Sequence, residues 1–281
     1  MSVARQSLPP ELRTALRPNL PRFEAQGYAV FEQLLPETLV RAAAAEAASL
    51  FESFPSGSGA ELTVYGSSES ALDRLARIDH PHLASPAIAE LLRHRSLGAA
   101  SAALMGSEAV QAWYVHMSRK PPANGSRAHI GWHQDGQYSD FMDGRFVTAW
   151  IPLTAIDPSD SPICYVPGSH RLGVIGGSGF SGEVSAEELK DRLLARCAME
   201  WSEVEVCARP GTVAIHDSLI IHGSRGNVGA RPRLALTVHM RSERNPFREA
   251  PRYRLSMAQL RDPSASPVLY GERAQFGDLT E

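Results

Sequence analysis

His133 and Asp135 stand one residue apart in Trp132-His133-Gln134-Asp135-Gly136, and His222, in His222-Gly223-Ser224, is followed eleven positions later by Arg233. Two neutral imidazoles and one carboxylate fit one face of an octahedral Fe(II) ion. The three open positions would accept a bidentate 2-oxo acid and O2. The elements that position these groups follow from strand geometry. Alternate side chains of an extended segment share a face, so His133 and Asp135 can enter one cavity, and a second strand must bring His222 to them.

Hydrophobic periodicity supplies those strands. From Arg233 the chain alternates Arg233, Ala235, Thr237 and His239 against Leu234, Leu236, Val238 and Met240, a half-buried strand whose more polar face carries the arginine. In a second strand Val147, Ala149 and Ile151 share one face, and Phe146, Thr148 and Trp150 the other. These two span 233–241 and 145–153, and further strands are predicted over 27–31, 109–119, 132–137, 163–166, 204–208 and 212–216. Helices are predicted from Pro36 to about Phe51, near 86–95 and 97–105, and from Ser185 to Arg196, where serine and two glutamates open the first turn. The Ser- and Gly-rich stretch 55–70 reads as an exposed loop. Helices first and strands afterwards predict one mainly β domain over 1–281, with a sheet core at about 109–242, an N-terminal helical buttress and a C-terminal extension.

Composition narrows the function classes. With 281 residues and 43% hydrophobic content the chain can bury a sizeable core. A net charge of −3 without a concentrated basic stripe argues against a nucleic-acid partner, and Arg241 to Arg254, though arginine-rich, reads as a solvated or lid-like segment. No apolar run is long enough to cross a bilayer, and the segment with Pro9, Pro10, Glu11 and Arg13 lacks a secretory apolar core, so a cytoplasmic monomer or homodimer is expected. Cys164, Cys197 and Cys207 match no zinc or disulfide spacing and read as buried free thiols. Lysine occurs only at Lys120 and Lys190.

Taken together, the histidine segments, Tyr165-Val166-Pro167-Gly168-Ser169-His170 and Pro232-Arg233 resemble the phytanoyl-CoA dioxygenase family of Fe(II)/2-oxoglutarate enzymes, its ectoine-hydroxylase branch included. The resemblance runs over about residues 27 to 242. It implies a double-stranded β-helix, the jelly roll also seen in cupins. It further implies His133, Asp135 and His222 as iron ligands, and Arg233 as the residue gripping the distal carboxylate of 2-oxoglutarate, with Ser224 as a nearby hydroxyl donor. A guanidinium suits that task, since it offers two parallel charge-assisted bonds and stays charged. Trp150 reads either as a wall beside the cosubstrate, with Thr148 on the same face, or as a core aromatic. Arg119 reads either as facing the cosubstrate or as simply exposed.

The remaining expectations concern chemistry and substrate. The resemblance implies consumption of O2 and 2-oxoglutarate, release of succinate and CO2, and hydroxylation of an unactivated C–H bond. Related halogenases lack a carboxylate where Asp135 stands. Desaturation, epimerisation or cyclisation differ only in substrate pose and remain open, as does a non-oxidative cupin-type metal site or binding protein. Arg233 with Ser224 speaks for the oxidative reading. A free small molecule, such as an amino acid or secondary metabolite, is the expected substrate. Tyr138 and the loops 55–70 and 122–131 are its predicted contacts. His116, His129, His170, His216 and His239 read as surplus, with His216 and Asp217 turned to opposite faces, and Pro167 to His170 as a turn closing the cavity.

Overall fold

In the computed structural model, which describes residues 8–55, 57–65, 75–122, 129–175, 186–195, 201–248 and 256–279, helices precede and flank two antiparallel sheets. The helix α1 (Pro10–Gln26) leads into the strand β1 (Tyr28–Phe31) and the helix α2 (Glu37–Glu52). The hairpin β2 (Glu61–Tyr65) and β3 (Leu75–Asp79) follows, then the helices α3 (Pro86–Leu92) and α4 (Arg95–Met105). Strands β4 (Val110–Lys120), β5 (Ile130–His133), β6 (Val147–Pro152) and β7 (Ile163–Tyr165) come next, and α5 (Ala186–Leu194) precedes β8 (Val204–Val206). The chain continues through β9 (Val213–Asp217), β10 (His222–Ser224) and β11 (Arg233–Ser242) to α6 (Met257–Arg261) and β12 (Val268–Tyr270).

The larger sheet runs in the order β1-β9-β6-β11-β4-β3-β2, with β12 also on β4, and the smaller in the order β5-β10-β7-β8. This is the expected double-stranded β-helix. The predicted alternation holds at its centre. Leu234, Leu236, Val238 and Met240 of β11, and Val147, Ala149 and Ile151 of β6, pack with Val40, Leu91, Leu97 and their neighbours from the helices. Each such fully buried side chain stabilises by roughly 1.5–3 kcal/mol. Their opposite faces look between the sheets. Ala235 and Trp150 meet Tyr165, Ile163 and Val206 there, and the polar members of those faces surround a cavity.

Several elements depart from the prediction. Within the stretch expected as loop, residues 61–65 form β2, which pairs with β3 (Leu62 opposite Ile78), while 66–70 lie outside the described residues. Both strands, with β1 and β12, extend the larger sheet beyond the expected core at 109–242. The helix α1 was not anticipated because Pro18 and Pro21 interrupt its pattern, yet Leu12, Leu16 and Phe23 are buried along it. Tertiary burial there outweighs the loss of two backbone donors. It ends at Gly27, whose φ of 86° is left-handed and whose N–H bonds Phe23 O. Among the described residues no helix is long and apolar enough to cross a membrane. Cys164 is buried and its thiol is pushed up to about 12, by burial first, but Cys207 is exposed rather than buried, and Cys197 lies outside the described residues.

The segment from Arg241 opens with a buried anchor, not with a solvated residue. Arg241, 1% exposed, donates to both carboxylate oxygens of Asp278 (2.6 and 2.8 Å), to Gln111 Oε1 (2.8 Å) and to Asn245 O (2.9 Å). Residues 249–255 lie outside the described residues. Burial raises the Asp278 carboxyl, but the Arg241 bonds outweigh it and hold the group below its usual range. Asp278→Ala leaves the guanidinium buried without its partner and should cost about 3–5 kcal/mol in urea unfolding at pH 7. Because the folded pKa is depressed, the contribution is complete above the unfolded value of about 4 and lost as pH falls through the folded one. The gap between wild type and variant should therefore close in acid; a constant gap would mean the effect is packing alone.

Candidate metal centre and cosubstrate pocket

The two histidines are cross-strand partners: His222 at the start of β10 lies opposite His133 at the end of β5, with ring centroids 4.1 Å apart. Close approach of these strands depends on Gly223, where a Cβ would sit 2.9 Å from Ile130 O. β5 ends at His133, so the predicted strand 132–137 is corrected. Gln134 nonetheless stays extended (φ −119°, ψ 131°) and turns its amide away, to Gly173 O (2.9 Å) and Leu219 O (2.6 Å). Asp135 then opens a tight 3-10 turn over 135–138. Gly136 N bonds Ser218 O at 2.7 Å, and a Cβ at Gly136 would strike Leu219 Cδ2 at 2.7 Å. The alternation thus survives the end of the strand, and Asp135 faces the same space as His133.

Donor atoms of His133, Asp135 and His222 all lie within 4.8 Å of one another. Each imidazole gives Nδ1–H to a backbone carbonyl, His133 to Gly131 (2.8 Å) and His222 to Ile220 (3.1 Å). That bond selects the tautomer whose Nε2 lone pair is free, and both Nε2 atoms lie 3.7 Å from Asp135 Oδ1. Burial, the largest cause, lowers both imidazoles to about 4, so both are neutral ligands at pH 7. The second carboxylate oxygen is held from behind. Asp135 Oδ2 accepts from Thr148 Oγ1 (2.7 Å) and His216 Nε2 (3.2 Å). Thr148 Oγ1 in turn meets His239 Nδ1 (3.0 Å), and His216 Nδ1 meets Tyr165 OH (2.9 Å). This donor set fits a divalent iron ion, with Oδ1 and two Nε2 atoms left for it.

At the other end of the cavity Arg233 lies in the lining, with Lys120 buried beside it on the neighbouring strand. Arg233, 2% exposed, donates to Ser161 O (3.0 Å) and Ser118 Oγ (3.1 Å), while its Nε is buried without a partner. Its cross-strand neighbour Lys120, fully buried, donates to Ser161 Oγ (2.9 Å), Ser224 Oγ (2.8 Å) and Arg225 O (2.7 Å). Among the described residues no carboxylate pairs with either. Burial and then the charge of Arg233 press the Lys120 ammonium well below its usual range, and burial brings Arg233 down to about 10. Arg233 lines the cavity without a carboxylate partner among the described residues, and a guanidinium there fits a carboxylate such as that of 2-oxoglutarate.

The structure assembles most of the predicted site and rearranges its roles. Arg233, Ser224, Trp150, Thr148 and Tyr138 line the same cavity as the triad. Trp150 is wall and core at once, 3% exposed and with its ring centroid 5.9 Å from Arg233 Cζ. Ser224 accepts from Lys120, and Thr148 braces Asp135. Arg119 lies between Ser118 and Lys120 on β4 and does not line the cavity, because alternation turns it to the other face of the sheet. His116, His216 and His239 line the cavity and so are not surplus. His216 and Asp217 do face opposite ways, Asp217 to Arg145, and it is His216 that faces the triad. The turn at Pro167 to His170 packs on the end of α1 through Glu24 O instead of closing the cavity, although Ser169 Oγ accepts from Ile221 N beside His222. Gly59, Glu61, Thr63 and Ile130 represent the predicted loops in the lining, and 123–128 lie outside the described residues. Lys120 was missed, although a lone lysine inside a strand of an arginine-rich chain was a signal.

The brace on Asp135 generates a test. Thr148→Val keeps the volume and removes the hydroxyl, so Fe(II) affinity should fall about 10- to 100-fold in anaerobic titration, while Thr148→Ser retains it. Equal affinity in wild type and valine variant would show that His216 alone orients the carboxylate.

With this geometry in view, comparison with known proteins gives a consistent picture. The model of the family described as phytanoyl-CoA dioxygenase (PhyH) matches residues 23–235. An ectoine dioxygenase from Sphingopyxis alaskensis is 27% identical over 226 residues, covering 75% of this chain and 71% of that protein. Among solved structures, the non-heme alpha ketoglutarate dependent carbocyclase SnoK from nogalamycin biosynthesis superposes with a TM-score of 0.66 at 21% identity, covering 91% of this chain and 93% of its own. The epimerase SnoN, solved with Fe3+, alpha ketoglutarate and nogalamycin RO, gives a TM-score of 0.66 at 20% identity over 84% and 87% of the two chains. Fold, ligand set and family match therefore agree: the chain belongs to the phytanoyl-CoA dioxygenase family and is a 2-oxoglutarate-dependent iron oxygenase.

Proposed function

We propose that this protein hydroxylates an unactivated C–H bond of a small molecule, consuming O2 and 2-oxoglutarate and releasing succinate and CO2, with the whole chain serving as one catalytic domain. The observation that carries the reading is Arg233, buried and without a carboxylate partner among the described residues, in the lining of the cavity that also holds a His/Asp/His donor set. A metal site for isomerisation or storage has no need of that arginine. His133, Asp135 and His222 are the ligands in this reading. Arg233 binds the distal carboxylate of 2-oxoglutarate, and Trp150 forms the wall along it and keeps water from the ion pair. When bound, iron and the 2-oxo acid supply the O2 activation.

The chain's own contribution is orientation. Thr148 and His216 hold the Asp135 carboxylate so that one oxygen remains for the metal. The Gly131 and Ile220 carbonyls keep the protons of His133 and His222 on Nδ1, away from the ion. Arg233 is held by Ser118 and Ser161, which would fix where the distal carboxylate of the cosubstrate is gripped. Asp135 occupies the position that a halide would need, which favours hydroxyl transfer.

Two measurements test this. Anaerobic addition of Fe(II) and 2-oxoglutarate should produce the weak visible band of a chelated keto acid. Arg233→Ala should weaken 2-oxoglutarate binding by about 2–4 kcal/mol, and Arg233→Lys by less, because one ammonium replaces a fork. Wild-type protein that binds Fe(II) but gives no band contradicts the oxygenase reading. With labelled O2 the product should gain one labelled hydroxyl oxygen per succinate formed. A product two hydrogens lighter than substrate, or isomeric with it, would replace hydroxylation by desaturation, ring formation or epimerisation.

A further inference from the structure

The hydrogen bonds behind Asp135 fix more than its carboxylate. A threonine hydroxyl has one proton and a carboxylate only accepts, so Thr148 Oγ1 gives its proton to Asp135 Oδ2 at 2.7 Å. In its contact with His239 Nδ1 at 3.0 Å, Thr148 must then be the acceptor and Nδ1–H the donor. A neutral imidazole with its proton on Nδ1 keeps a bare lone pair on Nε2, on the side of the ring turned away from Thr148. Burial, the largest cause, lowers the His239 imidazole below its ordinary value against the pull of Asp135, so the ring is neutral at pH 7.

That lone pair is accessible from the cavity. His239 belongs to the lining, its side chain keeps 11% of its surface, and among the described residues Nε2 has no hydrogen-bond partner. It differs in this from His116, on the outer wall formed by β2, β3 and β4, whose two nitrogens are sealed off. Aromatic rings hold the His239 imidazole in place. The register of β4 on β11 shifts here, Tyr114 lying opposite His239 and Ala112 opposite Met240, and the bulge at Trp113 brings both rings onto the histidine, with centroids 5.3 and 5.4 Å away. Phe146 adds a third at 6.3 Å.

Position along the strand separates Nε2 from the cosubstrate carboxylate. Arg233 and His239 share the cavity face of β11 but stand six residues apart, roughly 20 Å of strand, whereas His239 pairs directly with Thr148 behind the triad. A group that meets Nε2 therefore belongs to the molecule held beside the metal. The lone pair requires a donor from it. Two carboxylates act on the ring, Asp135 and Asp79, and both are engaged, the first by its braces and the second by Arg77 (2.9 Å) and Tyr114 OH (2.7 Å). Neither is left to balance an ammonium, so the donor that fits is neutral.

We propose that His239 is a substrate-binding residue, its Nε2 accepting a hydrogen bond from a hydroxyl that lies close to the C–H bond presented to the metal. This rests on the oxygenase reading, which puts the cosubstrate at Arg233 and leaves the His239 end for the substrate. Thr148 thus serves two purposes, bracing the metal ligand and setting the tautomer that reads the substrate.

NMR of protein with nitrogen-labelled histidines, loaded with 2-oxoglutarate and with Zn(II) as a diamagnetic stand-in for Fe(II), tests this on the unaltered chain. His239 should show a protonated Nδ1 and a bare Nε2. Benzyl alcohol should move the Nε2 signal and bind about tenfold more tightly than benzyl methyl ether, which cannot donate, and than benzylamine, which is charged. A proton on Nε2, or an ether that binds as well as the alcohol, overturns the proposal. Tighter binding of benzylamine overturns it in favour of a cationic substrate. His239→Asn keeps an N–H for Thr148 and removes the acceptor, so it should lose the preference for alcohol over ether while Fe(II) affinity stays close to wild type. His239→Gln, with an oxygen near the place of Nε2, should regain part of that preference. An asparagine variant that still prefers the alcohol overturns the assignment as well. The visible band of the iron-bound keto acid reports separately on the oxygenase reading: a protein with the band and no hydroxyl preference refutes only the role of His239, and one with the preference but no band refutes only the chemistry.

Discussion

One strand has to serve two environments, and the rest of the molecule is arranged around that requirement. β11 is hydrogen-bonded to β4 on one side and β6 on the other. Its period of two sends Leu234, Leu236, Val238 and Met240 into the helical layer, and Arg233, Thr237 and His239 to the cavity. A register slip of one residue would put a guanidinium into the apolar core and leucines on the metal side. The helices pay for the arrangement: α1 to α4 cover the apolar face so that the other can remain polar and partly empty.

The cavity stores unfavourable electrostatics. Arg233 and Lys120 are like charges in adjacent strands, both buried, and only hydroxyls and carbonyls surround them among the described residues. Neutral hydrogen bonds reduce the desolvation cost without cancelling the charge. Burial of two basic groups side by side is costly, and it accordingly presses the lysine well below its usual range. Arg241, by contrast, is paired with Asp278 and anchors the C-terminal segment. The same residue type thus has a carboxylate partner in one place and, among the described residues, none in the other, because the fold supplies Asp278 only to Arg241.

Rigidity around Asp135 has the opposite logic. Every polar atom behind the carboxylate has a partner, through Thr148, His216, His239 and Tyr165. The outer wall leaves Trp113 Nε1 and both His116 nitrogens without one. Partners on every side fix the orientation of the carboxylate.

Local pattern alone determined much of this protein. The alternation of β6 and β11 and the helices from Pro36 and near 86–105 were legible because each depends on a local period, whereas His222 and Arg233 were joined to His133 and Asp135 through a family resemblance. Where the reading failed, the deciding contacts came from far along the chain. α1 is helical through two prolines because Leu12, Leu16 and Phe23 find an apolar layer, and β3 is a strand because β4 lies beside it. His216 reaches Asp135 across 81 residues of separation, and His239 reaches Thr148, which braces Asp135, across 91. Lys120 of β4 meets Ser224 at the end of β10, Arg225 just beyond it and Ser161 of a turn only when these segments converge. The bulge that turns Trp113 inward exists only in the pairing of β4 with β11. Chemistry encoded in local spacing could be read from the residues themselves; burial, charge compensation and the shape of the cavity belong to the folded chain, because they are properties of which distant groups exclude water together.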